Sequence, residues 1–208
     1  EALAAREGDS PTTVAAGGFS GVASDPASWP KDGRLGDYGA APEFLVGGTW
    51  LRADGGAAPA LTLAGLRGRV VVVDFWTYSC VNCVRTIPYL RAWDEAYRDL
   101  GLTVVGVHTP EFEFEKNSAN VARAMRDLGV TWPVVQDNAY AQWNAYGNRY
   151  WPAKYVIDAA GHVRYFHFGE GSYDATERVI RALLEEAGAS LGGTVSGGET
   201  KLSSRTPE

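Results

Sequence analysis

The feature that most constrains the fold is the run VVVVDFW at residues 70–76, in which polar and apolar side chains do not alternate. Such a run is typical of a central strand that is buried on both faces of a sheet. Residues 83–100 follow it, with apolar side chains at helical spacing. Pro88 lies inside this predicted helix and predicts a kink, because proline cannot donate a backbone hydrogen bond.

The rest of the chain continues this alternation of strands and helices. The order strand, helix, strand at the front implies a parallel pair, and a late hairpin adds antiparallel strands. We therefore predict an α/β three-layer sandwich on a mixed central sheet, with an N-terminal β-hairpin extension. Strands are predicted at 49–55, 59–68, 70–76, 102–108 and on both sides of a turn within 153–169, and helices within 83–100, 117–129, 138–147 and 174–188.

The two ends of the chain differ in composition from the middle. Residues 1–41 are rich in Gly, Ala, Ser, Pro and Asp without apolar periodicity, which predicts an irregular linker or arm. Residues 189–208 predict a flexible tail or inter-domain linker, so the folded domain is predicted at residues 42–188. The chain starts at Glu1 without the pattern of a signal peptide, and we interpret it as a mature product or a fragment.

Composition argues against several classes of partner. The formal net charge is -6 and Lys and Arg form no cluster, so we do not expect binding to nucleic acid or to an anionic membrane surface. Only 2 cysteines are present, which excludes a scaffold held together by many disulfides. The longest strongly apolar run, residues 70–73, is far shorter than the ~20 residues that span a bilayer.

Both cysteines, Cys80 and Cys83, stand where the buried strand gives way to the helix. Reactive groups collect at such strand ends, and the unpaired N–H groups and dipole of a helix start favour thiolate over thiol. We expect a lowered pKa at Cys80, and a less exposed Cys83 that can close onto it. Two other interpretations stay open. One is a metal site, although a zinc site needs about four ligands and only 3 histidines exist; the other is two inert core thiols.

Several phrases of the sequence resemble known families. The phrase VVVDFWTYSCVNC, followed by a helix that contains proline, resembles the thioredoxin superfamily, and the segment from APEFLVGG to VVVVDFW resembles its TlpA/ResA-type redoxin branch. Together, DFWTYSCVNCVRTIPYL, GVHTPEFEFEKN and NRYWPAKYVID are most similar to the thioredoxin-like domain of the DipZ family. In that family a CcdA/DsbD-type membrane electron carrier is fused to an extracytoplasmic thioredoxin-like domain. The resemblance covers residues 42–188.

The resemblance implies roles for four catalytic residues. Cys80 matches the attacking thiolate and Cys83 the resolving cysteine. Asp74 matches the buried acid of thioredoxins, which has a raised pKa and can accept the proton of the resolving cysteine. Glu111 matches the acid that tunes the cysteines in ResA-type proteins. For both acids a plain solvent-exposed carboxylate is the competing interpretation.

The resemblance also implies a substrate groove. Trp76 matches the aromatic residue that flanks the active-site loop, and Pro152 matches the cis-proline whose backbone edge pairs with a substrate strand. Trp151 is bulkier than the residue usual before this proline, and it either narrows the groove or packs in the core. His108, at the end of the second buried strand, is interpreted as a hydrogen-bonded structural residue or as a proton carrier.

The predicted function is that of an extracytoplasmic thiol–disulfide oxidoreductase that reduces protein disulfides. The resemblance implies electrons from a CcdA/DsbD-like membrane carrier on the same full-length chain, tethering to the membrane, and a C-terminal carbohydrate-binding-like module outside this chain. We expect no cofactor beyond the redox-active Cys80–Cys83 disulfide, and no metal. The dipeptide between the cysteines contains neither His nor Pro, which favours a reductase over an oxidase. A thiol peroxidase, with Arg85 as the nearest arginine, and a metal-binding or interaction module are the alternatives.

Overall fold

A mixed sheet organises the computed structural model, which describes residues 35–44 and 47–192. Within those residues the sheet has six strands in the order β1-β4-β3-β2-β5-β6. The strands are β1 (Thr49–Leu51), β2 (Val70–Trp76), β3 (Leu102–His108), β4 (Val134–Gln136), β5 (Ala153–Ile157) and β6 (Val163–Phe168). Four α-helices connect and cover them: α1 (Val81–Tyr97), α2 (Ser118–Leu128), α3 (Ala141–Ala145) and α4 (Tyr173–Glu186).

Strand β2 lies near the middle of this sheet, as its sequence predicts. It runs parallel to β3 and antiparallel to β5, which confirms the mixed sheet. Every residue of β2 is buried. Its side chains divide between two apolar clusters, one containing Val72 and Trp76 and the other Val73 and Phe75. Because α1 and α4 cover the first face while α3 and the segment before β2 cover the second, β2 needs no polar face.

Helix α1 is continuous through Pro88, and its apolar stripe is buried against the sheet. The helix begins immediately after Cys80, which is the N-cap residue. Proline near the middle of a helix leaves one backbone carbonyl without its usual partner. The kink that the sequence predicts at this position stays a prediction.

The predicted N-terminal hairpin is present in a short form. Its first strand is β1, and its return is a single bridge between Leu51 and Ala57. Residues 59–68 do not form the second strand, and a 3-10 turn covers Ala64–Leu66. Strand β1 instead pairs antiparallel with β4, a strand that the sequence does not predict. Three residues after a proline are too few to carry a recognisable period.

The predicted arm and the predicted tail lie mostly outside the described residues. Of the predicted arm, residues 1–34 lie outside them, and the end of the arm pairs with the β6 edge through a bridge between Ala40 and His162. Of the predicted tail, residues 193–208 lie outside them. The linker character of both ends stays a prediction. No helix among the described residues combines the length and the apolar character needed to cross a membrane.

Candidate active site

The two cysteines lie where the sequence places them, around the start of α1. Cys80 is half-buried and Cys83 is buried, and both are free thiols. The backbone N–H of Cys83 donates a hydrogen bond to Cys80 Sγ over 3.4 Å. This contact fixes the first sulfur over the open end of the helix, where further N–H groups are unpaired.

The environments of the two sulfurs separate their acidities. The pKa of Cys80 is lowered to about 6, mainly because the Cys83 thiol donates a hydrogen bond to the Cys80 thiolate, and backbone N–H groups add to the effect. Burial is the main cause that raises the pKa of Cys83, and its hydrogen bond to Cys80 raises it further. At neutral pH Cys80 is therefore largely the nucleophilic thiolate, while Cys83 keeps its proton.

Asp74 is the buried carboxyl beneath this pair. Only 2% of its surface is exposed, and Oδ1 has no hydrogen-bond partner within the described residues. Burial raises its pKa to about 7, the positive charge of Lys154 counteracts this rise, and the charge of Cys80 adds to it. The charge of Asp74 in turn raises the pKa of Cys83. A carboxyl with a pKa near neutrality can take up and return a proton at physiological pH.

Lys154 is a member of the site that the sequence analysis does not single out. It is fully buried on β5, directly opposite Asp74 on β2. Its Nζ donates to the carbonyl oxygen of Gly169 over 3.4 Å and lies 5.9 Å from the centre of the Tyr173 ring. The sequence feature that points to Lys154 is its position inside the otherwise apolar strand AKYVI. A buried charge at such a position is costly unless it is paired.

Glu111 is exposed at the start of the loop that follows β3. Its charge raises the pKa of Cys80, so its field reaches the reactive sulfur. The role in tuning the cysteines stays a prediction.

Glu115 is the carboxylate of this loop that is fully buried. Its oxygens accept hydrogen bonds from Ser79 Oγ over 2.5 Å, from Glu111 N over 2.6 Å and from Phe112 N over 2.8 Å. Burial raises its pKa, but these donors and Thr77 outweigh burial, and the pKa is lowered overall. The alternating phrase EFEFE suggests that all three glutamates are exposed, so the sequence does not reveal this anchor.

His108 is a packed, neutral imidazole. It is fully buried, its ring stacks on Tyr78 with centroids 5.6 Å apart, and its Nε2 lies 3.3 Å from Thr77 Oγ1. Burial lowers its pKa to about 4. Between the two interpretations that the sequence leaves open, this environment favours the structural one, since an imidazole with this pKa does not gain and lose a proton in the physiological pH range.

The residues predicted to bind substrate occupy different depths. The Trp151–Pro152 peptide bond is cis, as the resemblance implies. Trp151 is half-buried, packs on Trp143 with centroids 4.2 Å apart, and donates from Nε1 to the carbonyl oxygen of Thr109 over 3.0 Å. Trp76 is 2% exposed and sits below the loop, so a direct contact with substrate would require the loop to move.

The two alternative functions gain no support from the geometry. Arg85, which a peroxidase would place at the reactive cysteine, is 3.6 Å from the Glu170 carboxylate and largely exposed. In the described part of the chain, no group of three or more His, Cys, Asp and Glu side chains is placed to hold a metal ion.

A six-strand mixed sheet in the described part of the chain, with a Cys-x-x-Cys pair at a helix start and a cis-proline immediately before β5, defines a thioredoxin-like thiol–disulfide oxidoreductase. The sequence profile of the Redoxin family matches residues 41–184, and the chain belongs to this family. The fold and branch predicted from the sequence are thereby confirmed.

Known relatives agree with this assignment. The chain is 49% identical to Protein DipZ of Mycobacterium bovis over 154 residues, which are 74% of this chain and 22% of DipZ. It is 30% identical to the thiol-disulfide oxidoreductase YkuV of Bacillus subtilis, covering 55% of this chain and 77% of YkuV. A putative thiol:disulfide interchange protein DsbE from Chlorobium tepidum has a similar structure, with a TM-score of 0.59 and 25% identity over 72% of this chain and 97% of that one.

Proposed function

We propose that this chain reduces protein disulfides in an extracytoplasmic compartment, with electrons from a CcdA/DsbD-type membrane carrier. The observation that carries the proposal is the separation of acidities at the helix start. Cys80 is a half-buried thiol with a pKa of about 6, and Cys83 is buried with a raised pKa. A partly accessible nucleophile followed by a protected resolving thiol is what a two-step dithiol reaction needs.

In the first step the Cys80 thiolate attacks one sulfur of the substrate disulfide. The S–S bond breaks, a mixed disulfide forms between Cys80 and the substrate, and the other substrate sulfur leaves as a thiolate. In the second step Cys83 loses its proton and attacks the Cys80 sulfur. The second substrate sulfur leaves, so the substrate gains two electrons and Cys80 and Cys83 become a disulfide.

Asp74 is the proposed acceptor for the proton of Cys83. Its raised pKa of about 7 lets it exist as a carboxylate at neutral pH and hold a proton without a large cost. Lys154 stabilises the carboxylate form from the neighbouring strand. The two positions are register partners in the sheet, so their separation is fixed by the backbone.

Three parts of the proposal rest on the relatives and on the dipeptide between the cysteines. They are the direction of electron flow, the identity of the electron donor and the compartment in which the protein acts. Val81 and Asn82 include neither the His nor the Pro of the strongly oxidising family members, which supports a reductase. The similarity to DipZ supports a CcdA/DsbD-type donor on the same full-length protein, an extracytoplasmic location with a membrane tether, and a C-terminal carbohydrate-binding-like module. A disulfide between Cys80 and Cys83 serves as the only redox group in this scheme.

Two experiments test the proposal. The reduction potential of the cysteine pair should lie near the ~-270 mV of thioredoxin, whereas a value near ~-120 mV would indicate an oxidant. The Cys83→Ser protein should accumulate mixed disulfides with exported proteins that disappear on reduction. The Cys80→Ser protein is the matched control and should form none. Equal adducts in both variants, or none in Cys83→Ser, contradict the mechanism.

A further inference from the structure

Two exposed phenylalanines lie in the segment that is hydrogen-bonded to the loop before the reactive cysteine. Phe112 and Phe114 are 50% and 54% exposed, and their rings stack in parallel with centroids 5.5 Å apart and an angle of 4°. Large apolar side chains that remain in solvent as a contiguous pair commonly mark a binding surface. Neither residue has a role in the proposed two-step reaction.

Hydrogen bonds tie this pair to the active-site loop. Phe112 N donates to the buried Glu115, whose other oxygen accepts from Ser79 Oγ. The carbonyl oxygen of Phe114 accepts from Tyr78 Oη over 3.2 Å. Residues 78 and 79 immediately precede Cys80, so both phenylalanines are held against the loop that carries the attacking sulfur.

A second donor holds the same carbonyl group of the loop. Asn120, in the first turn of α2, donates from Nδ2 to the carbonyl oxygen of Phe114 over 3.1 Å. The two rings are therefore presented by a backbone that is hydrogen-bonded at Phe112 N and at Phe114 O. Ordered aromatic side chains lose little conformational entropy on binding, which makes them effective anchors in interfaces.

We propose that Phe112 and Phe114 form a docking ledge for an apolar segment next to the half-cystine that Cys80 attacks, and that Glu111 faces a basic residue of the same segment. This inference rests on the proposed function. The reaction itself fixes the occupant, because the substrate chain is covalently bound to Cys80 in the mixed disulfide. The residues that flank its half-cystine then pass over the adjoining surface.

The negative charge of Glu111 near the docking ledge favours a positively charged residue in the substrate segment. Glu111 is exposed, and its field reaches Cys80, whose reactive form is itself an anion. Glu113 and Lys116 pair over 2.7 Å and offset each other. The whole chain carries a formal net charge of -6. A basic residue in the substrate is attracted to Glu111, and an acidic one is repelled by it.

Two synthetic peptides, each closed by one disulfide, test the ledge. One carries Leu and Arg beside its cysteine, and the other carries Ser and Glu at the same positions. In the Phe112→Ser/Phe114→Ser protein, kcat/KM for the Leu/Arg peptide should fall about tenfold, while the value for the Ser/Glu peptide should change less than about twofold. Leu100→Ser is the matched control, since Leu100 is 39% exposed at the opposite end of the sheet, and it should alter neither value.

The Glu111→Lys protein tests the charge separately. Its ratio of kcat/KM for the Leu/Arg peptide over the Ser/Glu peptide should fall at least about fivefold, and this ratio cancels any change in the reactivity of Cys80. Hydroxyethyl disulfide, which is small and uncharged, reports the chemistry alone. If wild type fails to reduce it, the proposed function fails as well. If wild type reduces it but the double variant affects both peptides equally, or neither, only the docking ledge is overturned.

Discussion

Asp74 on β2 and Lys154 on β5 face each other as register partners, and both side chains are buried. Burial raises the pKa of the Asp74 carboxyl, and the charge of Lys154 limits this rise, so that the pKa is about 7. Two opposite charges on adjacent strands thus hold a proton acceptor near neutrality beneath the cysteines.

Asp74→Asn should change how stability depends on pH. The folded-state pKa lies above the unfolded value near 3.8, so folded wild type holds an extra proton between about pH 4 and 7. Wild-type stability therefore falls as pH rises through this range, by about 1.4 kcal/mol per pH unit for this one group. The free energy of unfolding of Asp74→Asn relative to wild type should rise from pH 4 to pH 7 and then level off. Urea titrations at pH 4, 5, 6, 7 and 8 measure it, and a flat difference contradicts the raised pKa.

Cys83→Ala should raise the pKa of Cys80. The wild-type thiol should be half ionised near pH 6, mainly because the Cys83 thiol donates a hydrogen bond to it. Removing that donor moves the midpoint toward the ordinary value of about 8.5, so alkylation of Cys80 at pH 6 should slow several-fold. Iodoacetamide kinetics between pH 4 and 10 give the midpoint. Cys83→Ser is the control, since its hydroxyl can still donate, and an unchanged midpoint in both variants rejects the hydrogen bond as the cause.

Glu115→Gln should destabilise the protein, whereas Glu113→Gln should not. Glu115 is buried and accepts from Ser79 and two backbone N–H groups, so an amide that can also donate leaves some of them unsatisfied. The expected loss is about 1–3 kcal/mol. Glu113 is 86% exposed, and its neutralisation should cost less than about 0.5 kcal/mol. Chemical denaturation at pH 7 compares the two, and equal effects count against the anchor.

Gly106→Ala should be costly because no space exists for a methyl group in the middle of β3. A Cβ there would lie 2.9 Å from Val134 Cγ2, 3.0 Å from Trp76 Nε1 and 3.2 Å from Trp132 Nε1. Overpacking of this kind costs about 1–3 kcal/mol. At Gly192 nothing lies within 4 Å, so Gly192→Ala serves as the control. A melting temperature of Gly106→Ala equal to that of the control would contradict this prediction, because it would show that the Trp76 and Trp132 side chains shift at no cost in stability.

The parts of the fold that the sequence predicts are those with a strong local period. Strand β2 shows an unbroken apolar run and α1 shows an apolar stripe, so the position of Cys80 between them follows directly. Strand β4 cannot be predicted in this way, because three residues are too few to show a period. Its position is set by contacts with β1 and β3.

The missed members of the site depend on contacts between distant segments. Lys154 acquires its importance from Asp74, which lies opposite only because β2 and β5 are antiparallel neighbours. Glu115 points inward because a 3-10 turn over Glu113–Lys116 replaces the extended strand that the alternation suggests. The same turn leaves Phe112 and Phe114 outside, which reverses the usual rule that the apolar members of such a phrase are buried.

The central position of β2 protects the backbone at Asp74 from local opening. This strand pairs with β3 along all 7 of its residues and with β5 from Val71 to Phe75. Amide protons bonded within such a strand exchange with solvent only when the whole domain opens. Local opening at the sheet edges therefore leaves Asp74 in place, and its position in the sheet is set when the domain folds.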